Sequence, residues 1–268
     1  MLARGQTILN TERFQAREVG GPHLSADLAL SLKQGNAEVF DLSTAGMAGT
    51  LVGRHWPRVI FGGRYLSDKG SSILDDQFLQ LRYSYLLSRE TRTFHFVQAQ
   101  KNETLLLKSR WLLGTGVRRT VVETDRASAS VGTGLMAEWE RLDQASLEST
   151  DDAREWAIRI TNLAVLSWTT RSGARVLNVL YVQPRVDNFG DVRILNDLGL
   201  SMPLTDALGA TISVEWRSDT KPPAALSKYD LSLTAGLSVD CPEGWLEPDA
   251  FREPSQNDPR RTCEEGAQ

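Results

Sequence analysis

The chain reads as an all-β protein, an antiparallel up-and-down transmembrane β-barrel of about 12 strands. Apolar and polar residues alternate with a period of two along most of its length, and turn residues interrupt the alternation at short intervals. Several large aromatics also stand near segment ends on the apolar side, where a ring with one polar edge suits a membrane boundary. Its 268 residues can form one β domain. No stretch approaches the roughly 18 apolar residues of a membrane helix, whereas barrel strands need only about 9–11 and look as polar as soluble ones. With 30 Lys plus Arg against 34 Asp plus Glu, the net charge of -4 and the lack of a basic stripe argue against nucleic-acid binding.

Residues 23–34 set the pattern: Leu24, Ala26, Leu28, Leu30 and Leu32 share one face, and Ser25, Asp27, Ser31 and Lys33 the other. A helix would scramble these sets. Gly35-Asn36 marks a turn, after which Phe40 and Leu42 alternate with Asp41 and Ser43. Segment 56–67 sets Val59, Phe61 and Tyr65 against Arg58 and Arg64. Further segments fall near 76–89, 92–102, 105–120 and 127–142. In 105–120, Leu107, Trp111, Leu113 and Val117 share a face opposite Lys108, Arg110, Gly114, Gly116 and Arg118. In 127–142, Val131, Leu135, Ala137 and Trp139 oppose Gly132, Gly134, Glu138 and Glu140. A polar loop near 143–152 precedes segments near 154–169, 174–186, 191–203, 209–218 and 228–240. Residues 1–22 read as an extended periplasmic lead-in, 23–240 as the barrel and 241–268 as a polar tail. The first residues carry no apolar signal core, so export would need a leader removed or lying upstream.

On the barrel reading the polar face lines the lumen. It collects Arg58, Arg64, Arg82, Lys108, Arg110, Arg118, Glu138, Glu140, Arg159, Arg193, Asp197, Glu215 and Arg217. Both signs occur, so these side chains can pair into a ladder that narrows the channel, with glycines such as Gly62, Gly114 and Gly132 leaving room for the arginines. Trp56, Trp139, Trp156, Trp168, Trp216 and Tyr229 are the membrane-interface aromatics. Trp156 and Trp168, twelve residues apart, would stand about 30 Å from each other along the membrane normal at a strand tilt near 40°. The competing arrangement is a soluble all-β carbohydrate- or protein-binding module, with the apolar face turned inward as a sandwich core.

Five stretches carry a resemblance: Leu28–Asn36 (LALSLKQGN), Gln77–Tyr85 (QFLQLRYSY), Phe96–Asn102 with Leu106–Arg118 (FVQAQKN, LLKSRWLLGTGVR), Tyr181–Arg185 with Asp191–Arg193 (YVQPR, DVR), and Asp219–Leu231 (DTKPPAALSKYDL). In this order and spacing the chain resembles the YdiY-like salt-induced outer-membrane proteins, a domain of unknown function, DUF481. The resemblance implies a β-barrel in the outer membrane of a diderm bacterium.

No catalytic set emerges. The histidines, His23, His55 and His95, lack metal-ligand spacing, and His95 is followed two residues later by Val97 rather than a nucleophilic serine. Gly114-Thr115-Gly116 and Gly132-Thr133-Gly134 lack the helix a phosphate loop needs. Asp75-Asp76 and Asp151-Asp152 are assigned to loops, where such pairs are solvated or bridge lipopolysaccharide through divalent cations. Cys241 and Cys263 form a tail disulfide or remain two thiols. Tyr181, Gln183, Arg185, Asp191 and Arg193 read as a network ordering a connection through arginine hydrogen bonds. The expectation is a non-enzymatic monomer without cofactor or metal, structural or a narrow passive pore, linked to envelope or salt stress. Its partners would be outer-membrane lipid, lipopolysaccharide and the barrel-assembly machinery.

Overall fold

The computed structural model describes residues 21–33, 38–103, 106–143, 153–205, 208–223 and 226–239. They form one twelve-stranded sheet in which every strand runs antiparallel to its neighbour in sequence. The strands are β1 (Gly21–Lys33), β2 (Val39–Leu51), β3 (His55–Asp68), β4 (Ser71–Leu86), β5 (Thr91–Asn102), β6 (Leu107–Glu123), β7 (Ala127–Leu142), β8 (Arg154–Thr169), β9 (Arg175–Pro184), β10 (Val192–Pro203), β11 (Leu208–Asp219) and β12 (Tyr229–Val239). Among the described residues β1 pairs only with β2 and β12 only with β11. The tail with Cys241 and Cys263, Asp151-Asp152, the lead-in to residue 20 and the side chains of Asp27 and Lys33 lie outside the described residues.

Period-two reading locates these strands within a few residues because each side-chain set must serve a single face. Its errors arise where charges continue a strand. Gly21 and Pro22, assigned to the lead-in, already pair with Leu51 and Thr50. Asp75 and Asp76 lie inside β4 rather than in a loop, opposite Tyr65 and Arg64 of β3. Lys101 of β5 bridges Asp75, so ion pairing extends the ladder beyond the end of the apolar alternation.

The sheet is curled. Arg193 of β10 donates to Glu138 of β7, three strands away, and a single cavity is lined by side chains from β3 and from β5 through β11. The turns at 52–54, 87–90, 124–126 and 170–174 lie at the end where β1 starts and β12 finishes. The opposite end carries longer connections, including 185–191.

The usual arrangement of a soluble domain is inverted. Leu231, Leu233 and Leu237 are 69%, 71% and 72% exposed on the outer face, whereas Arg110 and Glu138 are each 2% exposed inside. Leu113, Leu135, Ile158 and Leu166 continue the outer apolar face. A sandwich core built on this alternation would require the opposite placement.

The inner face is more than a charge ladder. Met47, Ile60, Phe94, Leu112, Met136, Leu163, Val179 and Leu195 are buried there with glutamines and arginines. The space beside several glycines goes to aromatic rings rather than to arginines. A Cβ built on Gly114 would stand 2.3 Å from Phe96, one on Gly116 2.5 Å from Phe94, and one on Gly62 2.6 Å from Phe78. Gly132 does lie against an arginine, with Arg118 Cβ at 3.4 Å. Rings folded over strand glycines restore the packing that a missing side chain would lose.

Candidate functional site

Alternation along β6, β7, β8 and β10 sends Arg110, Glu138, Arg159 and Arg193 to the same interior volume. Curling then brings strands that are not neighbours within hydrogen-bonding reach. Glu138 is the hub. Its Oε1 accepts from Arg110 Nε at 2.8 Å and from Arg193 Nη1, and its Oε2 accepts from Arg159 Nε at 2.9 Å. Arg110 and Arg193 also hold Glu140, the latter through two bonds of 3.2 and 3.3 Å. Arg193 Nε donates to Asp219 at 3.0 Å, and Arg159 Nη1 to Asp191 at 2.9 Å.

Arg185 lies 3.8 Å from Asp191 and bonds Asp187 and Glu155 at the rim. Arg110, Arg159 and Arg193 thereby face Glu138, Glu140, Asp191 and Asp219, and Arg185 is shared among Asp191, Asp187 and Glu155 at the rim. A buried ion cluster depends on its members being paired and hydrogen-bonded, since removing one partner leaves an uncompensated charge. Beside it, Gln80 donates to Gln98 at 2.8 Å and Gln98 to Gln100 at 2.6 Å, crossing the interior of β4 and β5.

Arg58, Arg82, Arg118 and Asp197 are buried with the network members on the inner face. Glu215 and Arg217 pair at 2.8 Å on the same face and are mostly buried. Arg64 is half exposed toward the longer-loop end and bonds Asp41 at 3.0 and 2.8 Å. Lys108 departs from expectation. A β-bulge between Leu107 and Ser109 breaks the alternation, so Leu107 is buried while Lys108 is exposed and bridges Asp143 at 2.8 Å.

Trp139, Trp156, Trp168, Trp216 and Tyr229 are exposed on the outer face. Trp139 and Trp156, directly opposite one another, stack at 6.5 Å. Trp56 is the exception, at 1% exposure on the inner face. Its even position on β3 groups it with Arg58 and Ile60, and Arg58 lies over its ring at 3.7 Å. The outward His95 has Nδ1 2.8 Å from Thr115 Oγ1 and Nε2 3.2 Å from Thr93 Oγ1, with its ring stacked on Tyr83. His55 lies 2.7 Å from the Tyr83 hydroxyl.

Sequence reading missed Glu138 as a shared acceptor, the inward role of Asp219 and the glutamine row. Strand parity alone could place Gln80, Gln98 and Gln100, because each shares a face with a neighbouring inward residue. Arg110, Asp191, Arg193, Asp219 and all three of those glutamines come from the stretches that carry the family resemblance.

No curated relative and no solved structure matches the chain. A family model described as a protein of unknown function, DUF481, matches residues 26–240, which covers almost the whole sheet. The chain therefore belongs to the DUF481 family.

Proposed function

We propose that this protein is an outer-membrane β-barrel, closed along the edges of β1 and β12, whose interior is narrow or occluded. Its work is structural or the passive passage of small ions, and it has no enzymatic activity. The observation that carries this reading is the inverted burial, with Leu135, Leu233 and Leu237 outside and a hydrogen-bonded ion cluster inside. Water would not tolerate a continuous outer surface of leucine, valine and tryptophan, since soluble monomers rarely expose apolar patches above a few hundred Å². Hydrocarbon suits it, and paired strands satisfy the backbone groups that hydrocarbon cannot.

Outward aromatics support the same reading. Trp139 and Trp156 lie toward the longer-loop end of their strands, and Trp168 toward the other end. In this orientation the short turns and both edge-strand ends face the periplasm, and the longer connections face outward. The partners are then outer-membrane lipid, lipopolysaccharide and the barrel-assembly machinery, and the barrel acts as a monomer. The link to salt or envelope stress rests on the family resemblance alone.

Reconstitution of folded protein into planar bilayers tests the pore. Small conductance steps are expected, and Glu138→Ala should enlarge them by loosening the cluster. Complete absence of steps in both proteins, with folding verified, would leave only the structural role.

A further inference from the structure

The charged cluster occupies the longer-loop end of the interior, and the other end holds a cavity of about 730 Å³ reaching the Arg89-Glu90 turn. Its walls are chemically biased. Four arginines, Arg89, Arg92, Arg118 and Arg175, line it against two glutamates, Glu90 and Glu123, together with seven serine or threonine side chains. Glu90 is already bridged to Arg119 at 3.2 Å, which leaves the excess of wall charge positive.

Trp56 closes one wall of the cavity. It is 1% exposed and its Nε1 is sealed from the cavity space, so its contribution is the ring face that holds Arg58. The arginines near it are held in position, Arg58 by the indole face at 3.7 Å and by Ser84 Oγ at 2.9 Å, and Arg118 by Ser130 Oγ at 2.9 Å. Small-molecule sites typically fall between about 300 and 1,000 Å³, with a few fixed polar groups.

We infer that this cavity is a binding site for an anionic sugar of one or two rings, carrying a phosphate or a carboxylate. Planar guanidiniums bind either anion through paired hydrogen bonds. The ring of serine and threonine hydroxyls matches sugar hydroxyls, which both donate and accept. The inference goes beyond the pore reading, because the cavity belongs to the curled sheet whether or not the protein conducts.

Calorimetric titration of the full chain, folded in detergent, tests it with glucose 6-phosphate, glucuronate, glucose and inorganic phosphate as probes. Glucose 6-phosphate and glucuronate should each bind at least tenfold more tightly than glucose or inorganic phosphate. Arg175→Gln, an exposed position that does not threaten folding, should weaken both at least tenfold. No binding of either anionic sugar would overturn the proposal. So would equal binding of glucose, equal binding of inorganic phosphate, or unchanged affinity in Arg175→Gln.

Discussion

At the connection between β9 and β10, Arg185 donates to Asp187 at 2.6 Å and also bonds Glu155. The guanidinium beside Asp187 holds its carboxyl below the usual aspartate range, chiefly through that hydrogen bond. A depressed folded-state pKa contributes stability above the unfolded value and loses it as pH falls through the folded one. The Asp187 carboxyl resonance should therefore titrate below the ordinary aspartate midpoint, and Arg185→Ala should return it there. An unchanged midpoint in that variant would remove Arg185 as the cause.

Among buried residues, Glu138 carries the greatest consequence because three arginines share it. Glu138→Ala leaves those guanidiniums uncompensated and should cost about 3–5 kcal/mol in urea unfolding. Replacement by Gln retains hydrogen-bonding capacity and should cost less. Equal stability of Glu138→Ala and the parent would mean that the cluster does not hold the interior together.

At the scale of the element, β3 is coupled to β4 and β5 to β6 by rings lying over glycines. Gly114→Ala drives a methyl group into the Phe96 ring, which stands 2.3 Å from the new Cβ. Overpacking of this kind typically costs about 1–3 kcal/mol. Phe96→Leu in the same chain should recover most of the loss, because a smaller, flexible side chain can yield. A double-mutant cycle in urea checks this, and additive costs would show that the two positions do not interact. The β-bulge at Leu107 and Ser109 is also a property of the element. It exchanges the faces of Leu107 and Lys108, and alternation cannot foresee it because one extra residue resets the parity of everything before it.

For the whole molecule, the question is what surrounds the outer face. Leu135 stands mid-strand on β7 and is 54% exposed. In a bilayer, Leu135→Arg should destabilise the refolded protein by about 2–4 kcal/mol, and the same substitution near a strand end should cost about 0–1. Unfolding titrations in lipid vesicles measure the difference. A cost near zero at both depths would place water against this face and return the soluble module to favour.

Strand number, strand limits and the facing of most side chains were legible from the chain itself, because a period of two is a local property that neighbouring residues impose on one another. Leu231, Leu233 and Leu237 share a face for that reason, as do Arg110 and Arg118. Parity also holds the correct position of Trp56, beside Arg58 and Ile60, although its bulk and its place at a strand end suggest a boundary aromatic. Tertiary structure alone decided which inward charges meet. Arg193 and Glu138 are 55 residues apart in sequence and lie on strands that do not pair. Only the curvature of the sheet sets their separation, and curvature is a collective outcome of twist, bulges and glycine positions that no single segment encodes.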